Sequence, residues 1–157
     1  AGHPVEEGHA APDVQLLDTT LSPAGLLDQA PGGKGGGVLV VAAVPSLDTD
    51  VCSIETRRFN QEAAKLDANV VVVSMDLPFA QARWIREHDV QDLTVLSDHR
   101  DAAFGASWGV LIKELRLLAR SVFVIDASGT VRHAQIVGEV AEEPDYEAVL
   151  AAVHELG

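Results

Sequence analysis

The sequence predicts an α/β fold: a three-layer α/β/α sandwich around a central mixed β-sheet. Three observations carry this. Residues 38–44 (VLVVAAV) and 69–75 (NVVVVSM) are continuous runs rich in β-branched side chains, the pattern of strands buried on both faces. Helical stretches separate the strands, which calls for crossover connections and hence for parallel neighbours. Later, residues 121–126 (SVFVID) and 130–137 (TVRHAQIV) flank the tight turn Ala127-Ser128-Gly129 and read as an antiparallel hairpin.

Residues 1–12 are rich in Gly, Pro and Glu without periodicity and are expected to form a flexible lead-in; residues 13–157 are expected to form one domain. There, 13–17 reads as a short strand, the following DTTLSP as its turn, and 24–28 as a single helical turn. The tract 30–37 (APGGKGGG), with five glycines, reads as a surface loop. It is not a phosphate-binding loop, because Lys34 is followed by Gly35 rather than by Ser or Thr. Next come strand 38–44, a helix over about 50–66, strand 69–75, helix 79–89, the shorter strand 93–97 (LTVLS) and helix 101–108. The hairpin and a helix over 145–156 complete the chain. This order suits a thioredoxin-like arrangement with helices on both faces of the sheet.

Composition bounds the function. The 157 residues are 47% hydrophobic, enough to fill one core, but only 4% aromatic, so that core is aliphatic. Acidic residues outnumber basic ones 24 to 11, a formal charge of −13. Such a surface repels phosphate backbones and anionic lipids, so neither nucleic acid nor membrane is an expected partner. The longest apolar run, 38–44, is far too short to span a bilayer. The first ten residues show no basic stretch followed by an apolar one, so no signal peptide is visible, and Ala1 in place of Met suggests trimming. A cytoplasmic setting is expected. The six histidines lack metal-ligand spacing: His3 and His9 lie in the lead-in, and His88, His99, His133 and His154 are scattered. Neither a metal nor a cofactor is expected.

Cys52 is the only cysteine, so no intrachain disulfide can form. A lone thiol is either a small buried hydrophobe or a reactive group. Cys52 lies in the first turn of the 50–66 helix, and Cys52, Phe59, Ala63 and Leu66, spaced 7, 4 and 3, share one face toward the sheet. The thiol should therefore be half sheltered. A helix N-terminus favours a thiolate, whereas the nearby Asp48 and Asp50 oppose it, so a cation is needed. Arg120 could supply it only if the 121–126 strand runs antiparallel to 38–44; otherwise it is a solvated strand cap.

The stretch Pro45-Ser46-Leu47-Asp48-Thr49-Asp50-Val51-Cys52 resembles the peroxidatic loop of peroxiredoxins, whose minimal pattern is Pro-x-x-x-Thr-x-x-Cys. Its fuller PSxDTxVC form resembles the bacterial thiol peroxidase subfamily. RRFNQEA at 57–63, DLPFAQAR at 76–83, ARSVFVID at 119–126 and EPDYEA at 143–148 agree in the same order. The similarity runs from about residue 10 to the C-terminus. The resemblance implies a thiol-dependent peroxidase for hydrogen peroxide and alkyl hydroperoxides, with Cys52 as the nucleophile cycling through a sulfenic acid. It further implies that Thr49 hydrogen-bonds peroxide and thiolate, that Pro45 shields the thiolate from water, and that Arg120 stabilises the thiolate and the charge developing on oxygen. It implies a homodimer as well. Phe59 and Phe79 read as core residues, Asp76, Pro78 and Tyr146 as turn and capping positions, with contact between the 76–79 segment and substrate left open, and Trp108 as either core or dimer interface.

The chain departs from that pattern in two places. Thiol peroxidases usually carry a resolving cysteine in the helix after DLPFAQ, and the matching residue here is Ile85. The implied cycle is therefore of one-cysteine type, its sulfenic acid reduced by an external thiol, either a low-molecular-weight thiol or a thioredoxin-like protein. Family members also begin with an extra β-hairpin, and nothing before Asp13 reads as one. Two other functions stay open: a peroxide sensor or thiol switch that passes its oxidation to a partner protein, and a scaffold whose chemistry is lost.

Overall fold

The computed structural model describes residues 4–33, 35–63, 65, 67–137 and 143–156. In chain order the strands are β1 (Gln15–Leu17), β2 (Pro23–Gly25), β3 (Val38–Ala43), β4 (Ala68–Ser74), β5 (Thr94–Ser97), β6 (Leu111–Ile112), β7 (Leu117–Leu118), β8 (Ser121–Ile125) and β9 (Val131–Ile136). The helices are α1 (Asp50–Ala63), α2 (Pro78–His88), α3 (Ala103–Ser107) and α4 (Tyr146–Leu156), with a 3-10 turn at Leu27–Gln29.

The two aliphatic runs form the middle of a seven-stranded sheet of order β2-β1-β5-β4-β3-β8-β9. β3 pairs in parallel with β4, and β4 in parallel with β5, as the helical crossovers require. Period-two alternation sends successive side chains of one strand into different layers. Val40, Ala42, Val70, Val72, Val122 and Val124 meet Phe59 of α1, Trp84 of α2 and Val149 and Val153 of α4. Leu39, Val41, Ala43, Val71, Val73 and Phe123 meet the other layer, built on α3, Leu26, Leu118 and the N-terminal segment. Trp108 lies in that second core, stacked on Phe104 and edge-on to Phe123, each at 5.0 Å between ring centroids. Cys52 and Phe59 both belong to the first core, as their shared helical face predicts. The side chain of Ala63, and Leu66, lie outside the described residues.

One pairing decides the site. β8 runs antiparallel to β3 with Ser121 opposite Ala43, so Arg120 stands beside the end of β3, where the chain turns toward Cys52.

Three features differ from the sequence reading. Residues 4–12, expected to be loose, are tied to the body: Val5 and Ala11 are buried, and the N–H groups of Val5, Gly8 and Ala11 donate to the carbonyls of Trp108, Val131 and Gly129. Backbone pairing needs no apolar periodicity, which is why composition did not reveal it. Phe79, read as core, is 67% exposed, because it follows Pro78 in the first turn of α2 and faces away from the sheet-facing Gln81 and Trp84. The strand expected at 13–17 is β1, but Pro23–Gly25, expected as the end of its turn and the start of a helical turn over 24–28, instead pairs with it as β2. The helical turn falls at Leu27–Gln29. The ribbon β6–β7 is likewise unexpected, since two or three residues are too brief to show a period.

Candidate active site

The loop after β3 delivers the cysteine. Thr49 sits at the N-cap of α1: its Oγ1 accepts the Cys52 N–H at 3.2 Å and donates to the Ser46 carbonyl at 3.1 Å. Cys52 is thereby fixed in the first helical turn. It is deeper than expected, fully buried rather than half sheltered, because Val44, Leu47 and Phe59 enclose the same core. Pro45 is buried at the start of the loop, whereas Asp48, Thr49 and Asp50 are exposed.

Arg120 is 2% exposed, so it is no solvated cap. Its Nη1 donates to Oε1 of Glu55 at 2.7 Å, and its guanidinium interacts with Cys52 by both charge and hydrogen bond. Burial disfavours the guanidinium charge, but the Glu55 hydrogen bond and the charges of Cys52 and Glu55 outweigh it and hold Arg120 above its usual value. Pro45, Thr49, Cys52 and Arg120 thus come from the end of one strand, a loop, a helix start and the approach to a neighbouring strand.

Glu55 was missed by the sequence reading. It lies three residues after Cys52, on the buried face that continues through Thr56 and Phe59, and it is fully buried. Burial pushes its carboxyl up to about 7 in spite of the opposing Arg120 hydrogen bond and charge, with Glu143 adding to the rise. Among the described residues, Oε2 of Glu55 has no hydrogen-bond partner. An acidic residue at the third position after Cys52, on the helical face shared with Cys52 and Phe59, was the available signal. The first turn of α4 closes this side: Tyr146 meets Phe59 edge-on at 5.3 Å, lies under Arg58 at 4.8 Å and donates to Glu143.

Asp76 does more than cap a turn. Its carboxylate accepts Ser46 Oγ and the Leu47 N–H, each at 2.8 Å, and so reaches into the cysteine loop. Ile85 is half-buried against the core that contains Cys52 and offers no sulfur chemistry. Among the described residues, no group of three His, Cys, Asp or Glu side chains could hold a metal, and no helix is long and apolar enough to cross a membrane.

A buried thiol at a helix start, facing a buried arginine on a thioredoxin-like sheet, defines a thiol-redox protein. Residues 6–150 match the Redoxin family. The chain is 48% identical to the thiol peroxidase of Bacillus subtilis (strain 168), over 99% of this chain and 90% of that protein. It is 46% identical to the thiol peroxidase of Staphylococcus aureus (strain MRSA252), over 96% and 89% respectively. A crystal structure of a peroxiredoxin-like protein from Aquifex aeolicus matches with a TM-score of 0.88 at 40% identity, covering 99% of this chain and 90% of that one. This chain belongs to the Redoxin family, in the thiol peroxidase branch of the peroxiredoxins, and carries Ile85 in place of the usual resolving cysteine.

Proposed function

We propose that this protein is a thiol-dependent peroxidase of one-cysteine type, with Cys52 as nucleophile and Pro45, Thr49 and Arg120 as its site. The observation that carries this reading is the pairing of fully buried Cys52 with buried, ion-paired Arg120. The guanidinium faces the atom on which negative charge must rest and, in a dry site, needs no reorganisation when the charge moves. The Cys52 thiolate attacks one oxygen of the hydroperoxide, the O–O bond breaks, and sulfur gives up two electrons to become a sulfenic acid. The leaving oxygen takes a proton and departs as water or an alcohol. Thr49, whose hydroxyl caps the Cys52 turn, aligns the O–O bond; Pro45 keeps water from the sulfur.

Reduction needs two equivalents of an external thiol. The first displaces water from the sulfenic acid to form a mixed disulfide, and the second releases Cys52 and leaves as the oxidised disulfide. A small thiol or a thioredoxin-like protein fits this step, and a reducing compartment, the cytoplasm, fits both. The substrates, hydrogen peroxide and alkyl hydroperoxides, are uncharged, so the −13 chain needs no steering field. A homodimer is part of the reading: Ile54, Leu77 and Phe79 on α1 and at the start of α2 are large, apolar and 48–67% exposed. Light scattering should read twice the 16.6 kDa chain mass; a monomer at micromolar concentration would remove this part alone.

Continuous consumption of hydrogen peroxide with dithiothreitol tests the peroxidase. Many turnovers per chain are expected, and none for Cys52→Ser. The single cysteine favours one alternative, a peroxide sensor that passes its oxidation to a partner protein. One rapid oxidation followed by no turnover would select it.

A further inference from the structure

The loop between β3 and α1 is bonded largely to itself, around Ser46. The Ser46 carbonyl accepts the Thr49 N–H at 3.3 Å and the Thr49 hydroxyl at 3.1 Å, and its Oγ accepts the Asp48 N–H at 3.1 Å. What ties this unit to the sheet is Asp76. Oδ1 accepts Ser46 Oγ and Oδ2 accepts the Leu47 N–H, both at 2.8 Å. Asp76 is itself held by two serines, one of them braced from α2. Ser74 Oγ, at the end of β4, donates to Oδ2 at 2.8 Å, and Ser97 Oγ, at the end of β5, donates to the Asp76 carbonyl. The buried Gln81 of α2 braces that Ser74 hydroxyl through Nε2 at 3.0 Å, with the same nitrogen donating to the Leu96 carbonyl at 2.9 Å.

Building on the peroxidase reading, we propose that Asp76 is a positioning residue: its carboxylate sets the Pro45–Thr49 turn against the ends of β4 and β5, and so fixes the alignment of peroxide with Cys52. Asp76 does not touch the reacting atoms. It acts through Ser46, which holds the Thr49 that caps Cys52. Misplacement of aligned groups by about 1 Å costs roughly 10²-fold in rate. The sign of the charge separates this role from electrostatics, since neutralising a carboxylate near an anionic sulfur favours the anion. A slower peroxide reaction in a neutral variant therefore reports geometry.

Asp76→Asn and Ser46→Ala test this with two reactions of the reduced protein at one pH: the second-order rate with hydrogen peroxide, which needs alignment, and alkylation by iodoacetamide, which needs only a reactive, reachable sulfur. Asp76→Asn should lower the peroxide rate at least about tenfold without lowering the alkylation rate. Ser46→Ala, which loses one of the two contacts, should lower the peroxide rate severalfold and decides the matter alone if the Asn variant does not fold. A peroxide rate equal to the parent's in the folded variants, or a parallel fall in both reactions, would overturn the assignment. If the parent itself reacts no faster than a free thiol, the peroxidase reading fails instead.

Discussion

Burying a guanidinium among valines is costly unless its charge is met, and at Arg120 it is met twice, by Glu55 at 2.7 Å and by Cys52. Glu55 in turn carries its own burial cost, which sets a testable pH dependence. Its folded-state value is raised to about 7 from an ordinary 4.5, so the folded protein holds a proton that the unfolded chain releases. Stability from this group is therefore fully present below about pH 4.5 and declines as pH rises toward 7, by at most about 3 kcal/mol. Glu55→Gln keeps an acceptor for Arg120 and removes the titration. Urea unfolding from pH 4.5 to 7 should show a shallower decline in the variant than in the parent; identical pH profiles would refute the buried, titrating carboxyl. At this scale the sequence was uneven. Cys52 and Thr49 were legible because the loop motif and helix start announce them, and Arg120 because one condition, an antiparallel β8, could be stated in advance. Glu55 was not, since its place on the buried face only matters once a partner arrives from a strand 65 residues away.

Among the elements, β3 and β4 were legible because a run of buried valines admits few other structures. The short strand expected at 13–17 is β1, but its partner β2 and the ribbon β6–β7 were not legible, as pairing in two or three residues depends on what lies opposite. The second ribbon is nonetheless tightly built against α3. A Cβ added at buried Gly105 would stand 2.8 Å from Leu118 Cδ2 and 2.9 Å from Leu111 Cβ. Alanine gains up to about 1 kcal/mol in helix propensity over glycine, but overpacking an enclosed site costs about 1–3 kcal/mol. The Leu118 methyl can rotate, but Leu111 Cβ is fixed to its backbone, so the clash should win. Gly105→Ala is expected to lower the denaturation midpoint; a rise would mean that the α3 contact yields more easily than its packing indicates.

For the molecule as a whole, strand order does the functional work. Placing β8 beside β3 brings the end of one strand and the beginning of another to the same edge, so loop, helix start and arginine converge although 75 residues separate Pro45 from Arg120. The overall fold could be read from the alternation of strands and helices. The anchoring of residues 4–12 and the exposure of Phe79 could not, because both depend on which surfaces the finished body leaves open. That body also supplies a reporter. Trp84 Nε1 donates to Ser53 Oγ at 3.2 Å, one residue from Cys52, whereas Trp108 lies in the opposite core. Stopped-flow tryptophan fluorescence on mixing reduced protein with hydrogen peroxide, paired with intact mass, therefore tests most directly whether the Cys52–Arg120 pair is a peroxide-reducing site. The expected result is oxidation far faster than that of a free thiol, absent in Cys52→Ser and slowed about 10²-fold or more in Arg120→Ala. Oxidation no faster than a free thiol's, or a rate indifferent to Arg120, would contradict it.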